Sequence, residues 1–188
     1  MDRNIRLENN MNKTIGDHTY GDIEFTGGTF GHLTIGKYCS IGENVKVFMS
    51  QDHNYNNIST YPFGRGGMAF TTLMKHPLPQ KQDYNFKRHL SVRIGNDVFI
   101  GSNVVIFRGV NIGDGAIIGA YSTITKNVPP YAVVVGNDRL LRYRLPEEDI
   151  KFLLELKWWD FDDQKVASIA NLLCSDKIDE LRKTVHAN

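Results

Sequence analysis

His53 stands in the segment SQDHNYNNISTYPF (residues 50–63), with Asp52 before it and Tyr55, Tyr61 and Phe63 close behind. An imidazole titrates near neutrality (about pH 6.5), so it can take a proton from an attacking hydroxyl and hand it on. Asp52 is adjacent in sequence, but neighbouring side chains diverge, and the spacing names no partner for the ring. His18, His32, His76, His89 and His186 complete the set, and none of the six histidines makes an HxH, HxxxH or Hx4H spacing with another. Cys39 and Cys174 are too far apart to read as a metal or disulfide pair. No metal site is therefore expected. His76 and His89 fall in the same irregular stretch as His53 and are open to contact with a second substrate or to plain solvation.

The elements that must hold these groups follow an unusual rhythm. Ile94, Ile100, Ile106, Ile112, Ile118 and Ile124 recur every six residues. Two positions before each stands another small or apolar residue: Val92, Val98, Val104, Val110, Ala116 and Ser122. A period of six is neither the 3.6 of a helix nor a plain alternation. Residues i−2 and i share one side of a short strand, and a turn after each strand resets the direction. Stacked coils of this kind bury the paired residues along an axis and leave the rest outside. Gly95, Gly101, Gly113 and Gly119 each follow an inward isoleucine, where the backbone is expected to bend or take unusual torsions.

The earlier half repeats more loosely. Ile35-Gly36 and Ile41-Gly42 are in phase, and Ile23 and Thr29 extend that phase backward, while Ile15-Gly16 lies off it by two. Ile41 and Ile94 are 53 residues apart, not a multiple of six, so a loop must leave the coil between about residues 49 and 91. His53 lies where that loop departs. The aromatics in it suit a sugar face or another apolar surface, and Tyr55, Tyr61 and Phe63 are the candidates for substrate contact.

Beyond the two prolines of NVPPYAVVVGND the pattern turns helical. Pro146 and three acids open one helix with apolar positions Ile150, Leu153, Leu154 and Leu156; further helices are expected over 163–173 and 177–185. At least one of Trp158 and Trp159 reads as packing the helix onto the coil, with ligand stacking the rival for the pair. The chain thus divides into a β-helix over 1–145, with its excursion at about 49–91, and a helical cap over 146–188.

Composition narrows the classes. With 22 Lys+Arg against 21 Asp+Glu, no broad basic surface for nucleic acid is expected. No apolar run reaches the roughly 18–20 residues that span a bilayer, and the polar start MDRNIRLENNMNKT lacks a signal-peptide core, so a cytoplasmic protein is expected.

The hexads resemble the left-handed parallel β-helix of the hexapeptide-repeat acyltransferases. The segment from Gly95 to Asn137 resembles that family's most recognisable block. KYCSIGENVKV, DHNYNNISTYPF and LLELKWWDF resemble its xenobiotic/streptogramin acetyltransferase branch, which includes polysaccharide O-acetyltransferases. The resemblance spans about residues 15–165. It implies a mainly β fold, acetyl-CoA as co-substrate, no metal, and a homotrimer whose active sites are shared between neighbouring coils. It also implies that His53 is the general base. Ser102, Ala120 and Thr125 match coenzyme A positions, or are ordinary coil residues, and Lys126 matches a phosphate-contacting lysine. The family commonly ends its coil with GNPAK or GNPAR and a nearby arginine, where this chain has GNDRLLRYR, one residue shorter and without the proline. Arg139 and Arg142 are the candidate replacements for phosphate contact, their register left open by the shortening; a surface charge run is the rival for both.

The implied function is acetyl transfer from acetyl-CoA to a carbohydrate hydroxyl, as in a surface polysaccharide or sugar precursor. Inactivation of a streptogramin or chloramphenicol by the same chemistry, or N-acetylation of an amino sugar, is the alternative. Drug-modifying members carry a longer insert before their CSIG equivalent, and only YGDIEFTGGTFGHLTIGKY intervenes here, which favours sugar. A non-enzymatic scaffold would need neither His53 nor the coenzyme block.

Overall fold

The computed structural model describes residues 13–21, 23–26, 31–49, 58–61 and 91–186. Strands of two to five residues wind in rotation through three sheets. The first sheet stacks β1 (Lys13–Ile15), β3 (Leu33–Ile35), β6 (Val92–Ile94) and β9 (Asn111–Ile112). In the second lie β4 (Ser40–Ile41), β7 (Phe99–Ile100), β10 (Ile117–Ile118) and β12 (Ala132–Val135), ended by the antiparallel β13 (Arg139–Tyr143). The third holds β2 (Ile23–Thr26), β5 (Val45–Phe48), β8 (Val105–Phe107) and β11 (Thr123–Ile124). Every other pairing is parallel, and single bridges from Tyr20 to Ser40, Val128 to Ile112 and Asn137 to Thr123 complete the outer coils.

The hexad isoleucines form the axial core. Ile35, Ile94 and Ile112 stack in one column, Ile41, Ile100 and Ile118 in a second, and Val47, Ile106 and Ile124 in a third. The six in-phase isoleucines are each at most 2% exposed, and burying such a side chain contributes about 1.5–3 kcal/mol. Their i−2 partners are equally buried. Ser122, at 1% exposure, donates its hydroxyl to the Gly119 carbonyl at 2.6 Å, which satisfies the polar atom in this dry position.

Two details of the repeat differ from the sequence reading. Ile23 pairs with Val45 and Phe25 with Val47, so Ile23 occupies the i−2 position and Phe25 the position of the inward isoleucine; Thr29 lies outside the described residues. Ile15 nevertheless pairs with Ile35 in register, so its offset of two is taken up by the turns of the first coils. The glycines after the isoleucines do not have left-handed torsions. A Cβ on Gly36, Gly95, Gly101 or Gly113 would lie 2.5–2.7 Å from atoms of the adjoining coil, mostly backbone. Their N–H groups, and that of Gly42, donate across to neighbouring coils, as Gly95 does to the Ile112 carbonyl at 2.8 Å. Close coil-to-coil approach, not torsion, makes these positions glycine. The left-handed residue instead comes three after the isoleucine: Tyr38, Asp97 and Gly115 at one corner, Asn44, Asn103 and Tyr121 at the next.

The excursion leaves after β5 and the coil resumes at β6 as if nothing intervened. Ile35 and its partner Ile94 are 59 residues apart, against 18 for Ile94 and Ile112.

The helices α1 (Glu147–Leu156), α2 (Asp163–Leu173) and α3 (Ile178–His186) lie where the apolar pattern places them. Lys157 takes a left-handed torsion that ends α1, so Trp158 and Trp159 sit in a separate 3-10 turn, both buried. Trp158 packs against Tyr38 with ring centroids 4.8 Å apart. Lys37–Asp160 (3.6 Å) and His18–Asp163 (2.9 Å) fasten the helical region to the first two coils. No helix among the described residues is long and apolar enough to cross a membrane.

Candidate active site

The residues singled out by sequence fall into three places. His53, Tyr55 and Phe63 lie outside the described residues, as do His76 and His89. Tyr61 is exposed, its backbone N–H donating to the Ser59 hydroxyl at 3.1 Å. The coenzyme candidates are all described: Ser102, Ala120, Thr125 and Lys126 lie at corners of the coil, and Arg139 and Arg142 on the edge strand β13.

Ser102 and Ala120 stack at the corner between the second and third sheets. The Ser102 hydroxyl accepts from Glu43 N at 3.2 Å, and its carbonyl accepts from Tyr121 N at 3.0 Å. Ala120 is exposed and sits against Gly101, where a Cβ would meet Ala120 N at 2.5 Å. The small residues Gly101, Ser102 and Ala120 thus stack at this corner beside the exposed ring of Tyr121.

Thr125 and Lys126 follow β11 at the next corner, and the carboxylate of Asp138 reaches them. Asp138 Oδ1 accepts from Thr125 N at 2.8 Å and from Lys126 N at 3.2 Å, while the Thr125 hydroxyl donates to Oδ2. Burial pushes the Asp138 carboxyl up, but the bonds from Thr125 and Lys126 and the charge of Lys126 outweigh it and hold the group below the usual carboxylate range. Sequence reasoning missed this residue. Its signal is an aspartate where the family motif has proline, which states a departure but names no partner.

The shortened motif makes a tight hairpin. Gly136 and Asp138 both take left-handed torsions (φ 60° and 55°), and Val135 pairs with Arg139 directly across the turn. A bulge then sets Val134 opposite Leu140 and Val133 opposite Arg142. Paired residues share a face of the sheet. Ala132 and Val134 belong to the axial core, so Val133, Val135 and with them Arg139 and Arg142 face away from it. The bulge thus brings two arginines three apart in sequence onto one side, and both are exposed.

Other chemically capable groups are committed to the fold. Cys39 is fully buried, its thiol donating to the Gly95 carbonyl at 3.1 Å and pushed up to about 11 mainly by burial, which keeps it protonated. His18 stacks on Tyr38 at 4.7 Å while it bonds Asp163. Under the helices, Arg144 bonds Asp97 at 3.3 Å and the Gly115 carbonyl at 2.6 Å and lies over the ring of buried Tyr131. No group of three or more potential metal ligands occurs among the described residues.

The family model for bacterial transferase hexapeptide (six repeats) matches residues 91–126, the uninterrupted hexads. A probable macrolide acetyltransferase of Lysinibacillus sphaericus is 40% identical over 148 residues, covering 77% of this chain and 78% of that protein. A chloramphenicol acetyltransferase of Klebsiella aerogenes is 36% identical over 154 residues, 80% of this chain and 70% of that one. The solved maltose O-acetyltransferase of Clostridium difficile 630 superimposes with a TM-score of 0.50 at 25% identity, over 77% of this chain and 65% of that one, just under two-thirds of its length. The chain belongs to the hexapeptide-repeat acyltransferases, in their xenobiotic acetyltransferase branch, and is an acyltransferase built on the family's left-handed parallel β-helix.

Proposed function

We propose that the protein is an acetyl-CoA-dependent O-acetyltransferase in which His53 is the general base, Ser102, Ala120, Thr125, Lys126, Arg139 and Arg142 hold the coenzyme, and Tyr55, Tyr61 and Phe63 contact the acceptor. The observations that support the coenzyme assignment are the small residues stacked at the Ser102–Ala120 corner beside exposed Tyr121, the Thr125–Lys126 corner held by Asp138, and two arginines on one outward face. Such a surface suits a long neutral arm ending in phosphates. Acetyl-CoA supplies the thioester when bound. His53 takes the acceptor hydroxyl proton as the oxygen attacks the acetyl carbonyl, the carbon–sulfur bond breaks, and the proton passes to the departing thiolate. Ester and free coenzyme thiol are the products.

The acceptor is a carbohydrate hydroxyl on this reading, supported by the short segment before CSIG and by the maltose O-acetyltransferase likeness. A drug hydroxyl is the second reading, and one observation favours it. The 148 residues matched in the macrolide relative make up 78% of it, so a protein of about this length carries that name. Length alone therefore does not separate the two classes. The coil interface implied for the family makes the active unit a homotrimer, and a cytoplasmic site of action fits a coenzyme A-dependent reaction. An acceptor screen with acetyl-CoA and detection of released thiol tests the reading, with nucleotide sugars, oligosaccharides, chloramphenicol, a macrolide and a streptogramin as arms. Turnover confined to the sugars supports the first reading, turnover confined to the drugs replaces it with the second, and turnover of amino sugars alone moves the reaction to nitrogen.

A further inference from the structure

We propose that Asp138 is a positioning residue of the coenzyme site, clamping the corner that bears Thr125 and Lys126 to the root of the strand that bears Arg139 and Arg142; the inference rests on the coenzyme reading above. One carboxylate takes two backbone donors and a hydroxyl of that corner, at 2.8 Å and 3.2 Å for the amides. It does so from a left-handed turn position (φ 55°) that Asp and Asn tolerate better than other non-glycine residues. The very next residue opens β13, whose bulge directs Arg139 and Arg142 to the same side.

The electrostatics sharpen the assignment. The two amides are spoken for by an internal anion, so a coenzyme phosphate meets the cationic side chains and not the backbone of this corner. A fixed negative charge beside those cations weakens their pull on a phosphate. What Asp138 contributes must therefore be order: charge-assisted bonds fix the corner and the arginine strand relative to one another, so the cations lose less freedom when they engage. Pre-organisation and repulsion predict opposite signs when the carboxylate is removed, which makes the inference decidable.

Coenzyme A binding is measured by calorimetry without acceptor for wild type, Asp138→Asn and Asp138→Ala, beside steady-state kinetics. Asp138→Ala is expected to weaken coenzyme A about tenfold and Asp138→Asn about threefold, since the amide oxygen still accepts from both N–H groups but without the charge, and an NH2 replaces the oxygen that faces the Thr125 hydroxyl. The acetyl-CoA KM rises in parallel, while kcat at saturation stays within about threefold and the acceptor KM does not move. Adding Arg142→Ala to Asp138→Ala costs less than Arg142→Ala costs in wild type, because an unclamped arginine has less to lose. A thermal melt checks that the variants are folded, and Asp138→Asn carries the test if the alanine variant is not. Unchanged or tighter coenzyme A binding in both variants, or a fall in kcat with the acetyl-CoA KM unmoved, overturns the role of Asp138 alone. Failure of wild type to bind coenzyme A overturns the coenzyme reading itself.

Discussion

At the residue scale the proposed chemistry rests on one proton acceptor and a few cations. If His53 removes the acceptor proton in the transition state, His53→Ala lowers kcat by about 10²–10⁴-fold and leaves coenzyme A affinity nearly unchanged. The wild-type kcat/KM profile should rise through an imidazole limb near or somewhat below neutrality, and that limb should vanish in the variant. A folded His53→Ala that keeps most of its activity would turn attention to His76 or His89. Asp138 cannot supply this limb. Its folded pKa is depressed, so its clamp is fully present above the unfolded carboxylate value (about 3.9) and is lost only as pH falls through the lower folded one. If Lys126 and Arg142 hold the coenzyme phosphates as proposed, either replaced by Ala should raise the acetyl-CoA KM with a smaller effect on kcat, because phosphate contacts persist through the reaction. Steady-state kinetics that show no KM change for both would move the phosphate site elsewhere.

The coil, as an element, is stabilised by what its repeat buries and by how closely its turns approach. Ile106 is fully buried between Val47 and Ile124. Ile106→Asp places an unpaired charge in that column and should cost at least about 4 kcal/mol. A melt within a degree or two of wild type would refute the inward register. The glycines give a graded test of the close-approach argument. In Gly101→Ala the new Cβ meets Ala120 N at 2.5 Å and its Cα at 2.8 Å, backbone that cannot yield without parting two coils. In Gly119→Ala the nearest atom is a Val135 methyl at 2.8 Å, the next neighbours lying at 3.6 Å, and a side chain can shift. Overpacking of the first kind costs about 1–3 kcal/mol, a Tm lower by about 2–12 °C, and Gly119→Ala should lose clearly less. Equal losses would mean that torsion, not proximity, selects glycine here.

For the whole molecule, the helical region is a strap along one corner of the coil. It is tied to the first two coils through His18, Lys37 and Tyr38 and to the later ones through Tyr131. Trimerisation is the property that would complete the shared sites, and sedimentation at micromolar concentration should give about three times the 21.3 kDa chain mass. A stable monomer with full activity would contradict the shared-site arrangement.

The residue types and spacings alone determined the coil, because a period of six aliphatics has one good solution: short strands that turn and stack until each column is buried. They also located the excursion, since a phase break in a stacked repeat can only be a segment that leaves it, and the three helices, whose apolar positions follow a 3.6 period. Which glycines need their hydrogens for space was beyond sequence, because that depends on the distance between coils that are 16 or more residues apart. So was the position of Ile23, where the pattern matched one phase and the pairing chose the other. The arginines of GNDRLLRYR were legible as cations but not as a pair, since their shared face comes from a bulge that spacing conceals. Asp138 was invisible for the same reason: a carboxylate acts through the donors it reaches, and folding alone brings Thr125 and Lys126 to it.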